Sequence, residues 1–128
     1  MDNKIISNWI RQARYRAKRA NIYSELEIED VQIIVEHFSS RCAYCGVKAE
    51  TLDHPFPLKS SAPNVPANVL PSCKKCKQAK KNNDIVWLFS SGFLKRPKYL
   101  ELLAFMFEQG GGEHIKQYVR LATGMVDD

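Results

Sequence analysis

Four cysteines stand as two pairs, Cys42-x-x-Cys45 and Cys73-x-x-Cys76, with 27 residues between the halves. A doubled pair of this kind can close a tetrahedron of thiolates around one ion. In a reducing compartment the pattern predicts a structural zinc site rather than two disulfides. Inside the interval lies the stretch "TLDHPFPL", residues 51–58, where Asp53 and His54 stand side by side at the end of an apolar run. Pro55 and Pro57 stop the run at once. Two adjacent titratable groups followed by a break call for a partner, which the rest of the chain must supply.

The elements around these residues can be read from periodicity and punctuation. Residues 41–50 read as a knuckle in which Gly46 takes the positive φ of a tight turn after the second thiol. Residues 49–54 read as a strand, 55–68 as a long loop, 68–72 as a short second strand and 73–83 as a helix. The prolines at 55, 57, 63 and 66 exclude regular structure from the loop. Zinc would pin the knuckle to the start of the last helix and so clamp a strand–strand–helix unit at its base.

Upstream, Ile5, Ile6, Trp9, Ile10, Ala13, Ala17 and Ala20 recur at helical spacing, and Arg11, Arg14, Arg16, Lys18 and Arg19 fill most of the remainder. A second helix is expected from about Ile28, with an acidic first turn that its dipole favours and a stripe of Val31, Ile34, Val35 and Phe38. Downstream come the apolar segment after Asp84, a helix opened by Pro97, glycines at 110–112 and a last short helix over 113–122. Core packing accounts for Leu100, Leu103, Phe105, Met106 and Phe107, and for Trp9 and Trp87. His37 and His114 are read as structural or solvent-facing.

With 128 residues the chain reads as one domain over 1–128: basic helices over 1–40, the zinc-stapled unit over 41–83 and helices over 84–128. No run reaches the length of a membrane span, and the N-terminal stretch lacks the apolar core of a signal peptide, so a cytosolic protein with no membrane partner is expected. The net charge of +5 is segregated. Residues 1–20 hold six cations and one acid, 21–70 three and seven, 71–100 eight and one, and 101–128 two and five. Two basic blocks around an acidic middle suit a polyanion held by particular surfaces.

The residues "CAYC…LDHPFPL…NVLPSCKKCKQAKK" resemble the HNH endonucleases of the ββα-metal finger class in their zinc-bearing, four-cysteine form. The match runs from Cys42 to about Lys81, and the basic N-terminal helix is loosely similar to that of small phage-type HNH proteins. The resemblance implies an α+β fold, mainly helical, in which a ββα-metal finger is wrapped by N- and C-terminal helices. It implies cleavage of duplex DNA in the cytoplasm of a bacterial or phage-infected cell. His54 would be the general base that deprotonates a water, a role suited to an imidazole titrating near pH ~6.5. Asp53 would hold a catalytic Mg2+ or Mn2+, and the Asn68 amide would fix the loop and so orient His54. Lys74, Lys75, Lys77, Lys80 and Lys81, with Arg11, Arg14, Arg16, Lys18 and Arg19, would grip phosphates on both sides of the scissile bond.

One position departs from the family pattern. After the last cysteine the family carries a His or Asn that ligates the catalytic metal, and this chain has Lys77. An ammonium cannot coordinate a cation. Three readings stand: a metal held by Asp53, phosphate and water with help from Gln78 or Asn82; a lysine that supplies part of the metal's charge; or a nucleic-acid-binding zinc module that has lost catalysis. A zinc-stapled protein adapter fits the basic blocks less well.

Overall fold

The computed structural model describes residues 1–109 and Lys116. Of the expected last helix over 113–122 only Lys116 is among them; the rest of it, with His114, and the glycines at 110–112 lie outside the described residues.

α1 spans Asn3–Arg19 and is capped by the Asp2 carboxylate, which accepts from the Lys4 amide at 2.7 Å. Its inner face is Ile6, Trp9, Ile10, Ala13 and Ala17, and the alanines let it lie close to its neighbours. α2, Ile28–His37, opens with a capping box between Glu27 and Asp30 that satisfies amides the helix itself cannot. It buries Val31, Ile34 and Val35.

β1, Thr51–Asp53, and β2, Leu70–Ser72, pair antiparallel with Leu52 opposite Pro71 and Asp53 opposite Leu70. α1 packs on β1 and α2 on β2. The expected strands are thus present but only three residues long, because Pro55 and Pro57 follow the first at once. The knuckle is tied to β2 by the Ala43 amide, which donates to the Pro71 carbonyl at 2.9 Å. Gly46 has φ 83°, as the turn requires.

The proline-rich connection between the strands is irregular, as expected, yet mostly buried and not fully without helix. It makes 3-10 turns at Leu58–Ser60 and Pro66–Asn68 and buries Phe56, Leu58, Ala62, Val65 and Ala67. Asn68 accounts for this order. Its Oδ1 accepts from the Phe56 amide at 2.9 Å, and its Nδ2 donates to the carbonyls of Phe56 at 2.8 Å and Pro63 at 2.9 Å. One side chain thereby supplies a loop with the bonds a ladder would otherwise provide.

α3, Lys74–Lys80, follows β2; α4, Ile85–Ser90, is capped by Asp84; α5, Arg96–Glu108, has Pro97 in its first turn. Leu88, Leu102, Leu103 and Met106 join Ile6, Ile34, Leu52 and Leu70 in one apolar cluster. Two expectations for this cluster fail: Trp87 and Leu100 are 39% and 49% exposed and do not belong to the core. The architecture is α+β and mainly helical, with a two-stranded sheet and a four-cysteine cluster. No described helix is long and apolar enough to cross a membrane.

Candidate functional site

The knuckle and the first turn of α3 bring Cys42, Cys45, Cys73 and Cys76 together, with all four Sγ atoms within 4.8 Å of one another. Cys45 Sγ and Cys73 Sγ are 3.7 Å apart. Zinc–thiolate bonds of about 2.3 Å in a tetrahedron separate the sulfurs by about 3.8 Å, so the cluster can hold a zinc ion. Four thiolates would fill such a tetrahedron and leave no open position for water. Without a cation the thiolate form is penalised: burial, then the neighbouring sulfurs, pushes the Cys76 pKa far above the usual thiol range. A divalent cation removes that penalty.

At the other end of β1, Asp53 and His54 are 5% and 6% exposed. They line a cavity of about 350 Å3 whose wall includes Arg16 of α1 and Lys77, Lys80 and Lys81 from α3 and its end. Arg16 and Lys77 also border a second groove, about 650 Å3, along Trp9, Arg11, Gln12 and Tyr15.

His54 is held on two sides. Its ring lies against the Trp9 indole, with centroids 4.7 Å apart and planes at 34°. Its Nε2 is 2.8 Å from Asn64 Oδ1, while Asn64 Nδ2 donates to Ser24 Oγ at 3.0 Å. With the amide nitrogen spent on Ser24, the amide oxygen faces the ring, so Nε2 carries the proton and Nδ1 keeps the lone pair. The Asn64 backbone is itself fixed, by the Tyr23 carbonyl and the Glu25 amide at 2.9 Å each. The His54 pKa is lowered to about 4: burial is the largest cause, the Asn64 bond offsets part of it, and Arg16, Lys77 and Lys80 contribute to the lowering. The imidazole is therefore neutral at physiological pH, but a weaker base than its ordinary value of 6.5 implies.

Asp53 is engaged differently from what the sequence suggests. Its Oδ2 accepts from the Tyr44 hydroxyl at 2.7 Å, and Lys80 Nζ lies 3.3 Å from each of its two oxygens. Lys80 Nζ also donates to the His54 carbonyl at 2.9 Å. Burial, then the charge of Asp53, keeps the Tyr44 phenol well above its usual range and so a steady donor. Lys80 is 1% exposed. It was expected on a phosphate-gripping surface and instead forms a buried ion pair, and removing either partner would leave a buried charge at about 3–5 kcal/mol. Lys77 Nζ donates to the Leu52 carbonyl at 2.6 Å, and desolvation lowers its pKa.

These contacts bear on the catalytic divalent ion expected at Asp53. The acid already shares its oxygens between a phenol and an ammonium, and among the described residues the cavity lining adds only His54 and the Asn82 amide as neutral side-chain donors, with no second carboxylate and without Gln78. A Mg2+ or Mn2+ ion seeks several oxygen ligands and is repelled by a neighbouring ammonium. The donor set does not fit such an ion.

The expected phosphate-binding cations divide into two groups. Arg11, Arg16, Lys18, Arg19, Lys74, Lys75 and Lys81 are exposed. Arg19 leans on Tyr15, with its guanidinium carbon 5.8 Å from the ring centroid. Arg14 is committed to structure: its guanidinium donates to the Leu26 carbonyl at 2.6 and 3.2 Å and to Glu27 at 2.9 Å. His37, expected to be structural or solvent-facing, is exposed and stacks on Phe105 with ring centroids 4.3 Å apart. Sequence reasoning missed Asn64, Ser24 and Tyr44, and it placed Trp9 in the core without its contact to His54. Asn64 sits in a proline-rich loop where asparagine reads as a turn residue, so no pattern points to it.

Comparison of the chain with protein-family models, with curated proteins and with solved structures yields no match.

Proposed function

We propose that this protein is an HNH-type endonuclease that hydrolyses DNA phosphodiesters, and that β1, β2 and α3 form a ββα-metal finger stapled by zinc. The observation that carries the proposal is the His54 imidazole, its Nε2 held 2.8 Å from Asn64 Oδ1, in a cavity walled by Arg16, Lys77 and Lys80. Water attacks phosphorus as His54 Nδ1 takes its proton. The new P–O bond forms as the bond to the leaving oxygen breaks, and that oxygen takes a proton from solvent. The incoming phosphate's negative charge raises the His54 pKa toward neutrality, which strengthens the base at the moment it is needed. Asn68 acts at one remove, by fixing the loop that follows His54. Zinc, when bound, holds the knuckle to α3 and takes no part in hydrolysis. Exposed Lys74, Lys75, Arg11 and Lys18 supply salt-sensitive contacts to duplex DNA, encountered in the cytoplasm.

A second reading is a nucleic-acid-binding zinc module without catalysis. The Lys80 ammonium on Asp53, where a metal ion would be expected, favours it. Incubation with supercoiled plasmid, in parallel for parent and His54→Ala, separates the two. The first reading expects nicked or linear product from the parent alone, with DNA affinity retained by both proteins. Equal binding and no cleavage by either protein supports the second.

A further inference from the structure

We infer that the buried Lys80 ammonium, assisted by Lys77 and Arg16, takes the place of the divalent cation, so that the His54 cavity binds and activates a phosphodiester with no catalytic metal ion. The inference rests on the hydrolase reading and adds to it the identity of the charge that serves the reaction. Lys80 reaches both oxygens of Asp53 and the carbonyl of His54, so three acceptors fix its position beside the imidazole. Tyr44 holds the same carboxylate from another side, which keeps Asp53 from turning toward a solvent ion. Lys77 is anchored to the carbonyl of Leu52, one residue before Asp53, and Arg16 reaches the cavity from α1.

The division of labour follows. Asp53 does not ligate a metal but positions the ammonium. The Lys80–Asp53 pair is neutral as a whole, but its ammonium is fixed in place, and with the net charge of Lys77 and Arg16 beside it the wall needs little reorganisation as charge builds on the pentacoordinate phosphorus. The atoms balance as in metal-assisted hydrolysis: water supplies the nucleophile, His54 takes its proton, the P–O ester bond breaks and solvent protonates the leaving oxygen. No oxidant, reductant or co-reactant beyond water is required.

The test is supercoiled-plasmid cleavage in buffer depleted of divalent ions and in buffer with Mg2+ or Mn2+, with the protein's zinc content measured before and after. The parent is expected to cut at the same rate in all three. The double variant Lys80→Met with Asp53→Asn, which removes both buried charges together, is expected to lose about 100-fold or more in rate while keeping its thermal melt. Cleavage by the parent only with Mg2+ or Mn2+ overturns the inference and leaves the hydrolase reading intact. Cleavage under none of the conditions overturns both. Metal-free cleavage that the double variant retains removes Lys80 from the role. Should the double variant not fold, the metal dependence of the parent still decides, and Lys80→Arg, which keeps the charge, is expected to keep metal-free cleavage.

Discussion

Asn64 Oδ1 stands 2.8 Å from His54 Nε2, and the same amide is anchored through its nitrogen to Ser24. A side chain from the proline-rich loop thus sets the tautomer of an imidazole ten residues earlier, and a residue just beyond the N-terminal helix holds that side chain in place. Asn64→Asp substitutes an anion for the amide and should raise the His54 pKa, whereas Asn64→Leu should lower it below its value of about 4. Imidazole titration by NMR checks both directions without reference to any activity. If cleavage depends on the lone pair at Nδ1, Asn64→Leu should also reduce kcat by roughly 10–100-fold with KM little changed.

Stability should depend on pH through His54. Its folded pKa lies below its unfolded value, so the unfolded chain binds the extra proton between the two. The contribution is fully present above about pH 6.5 and is lost as pH falls through about 4. At full extent it amounts to about 3 kcal/mol. Urea melts of the parent and of His54→Gln across this window should converge toward low pH. Parallel curves would assign the acid sensitivity to other groups.

Zinc should be found at one equivalent per chain by elemental analysis. Cys73→Ser should unfold the strand–strand–helix region rather than slow a reaction, since Cys73 is both a thiolate of the cluster and the N-cap of α3. A cooperative melt from zinc-free protein would sink this assignment.

The two kinds of basic residue should respond differently to removal. Lys74→Ala with Lys75→Ala should weaken DNA binding and make its salt dependence shallower by about 0.9 for each phosphate no longer neutralised. Arg14→Ala should leave that slope alone and destabilise the fold by about 1 kcal/mol, because its guanidinium is spent on the Leu26 carbonyl and the Glu27 pair is exposed. Fluorescence anisotropy at several salt concentrations, beside thermal melts, reads both effects.

The cysteine spacing makes the metal-binding cluster legible because thiolates at such intervals have few other uses. The prolines make the irregular loop legible because they forbid the alternatives. Asn68 can be placed in the loop from the sequence, though not its three bonds. Lys80 is misread because a lysine-rich helix looks uniformly solvated. Yet Lys80 lies one turn beyond Cys76, on the buried face of α3 that the cysteines define, and that spacing is visible in the sequence. Arg14 is misread for a related reason: nothing local reveals a carbonyl twelve residues away. Asn64, Ser24 and Tyr44 act through contacts across the fold, which neither composition nor periodicity records.

The packing of the Trp9 ring against His54 limits how portable the site is. Residues 42–81 carry the cysteines, Asp53, His54, Asn64 and Lys80, and by sequence alone they look like a cassette that could be cut out and grafted elsewhere. Trp9, Arg16 and Ser24, however, all come from the first 24 residues, and they supply the ring that covers His54, one cation of the cavity and the anchor of the tautomer-setting amide. A graft of the cassette alone would keep the four-cysteine cluster and open the imidazole to water, so any recombination of this protein that preserves the site must move the N-terminal helix together with the strand–strand–helix unit.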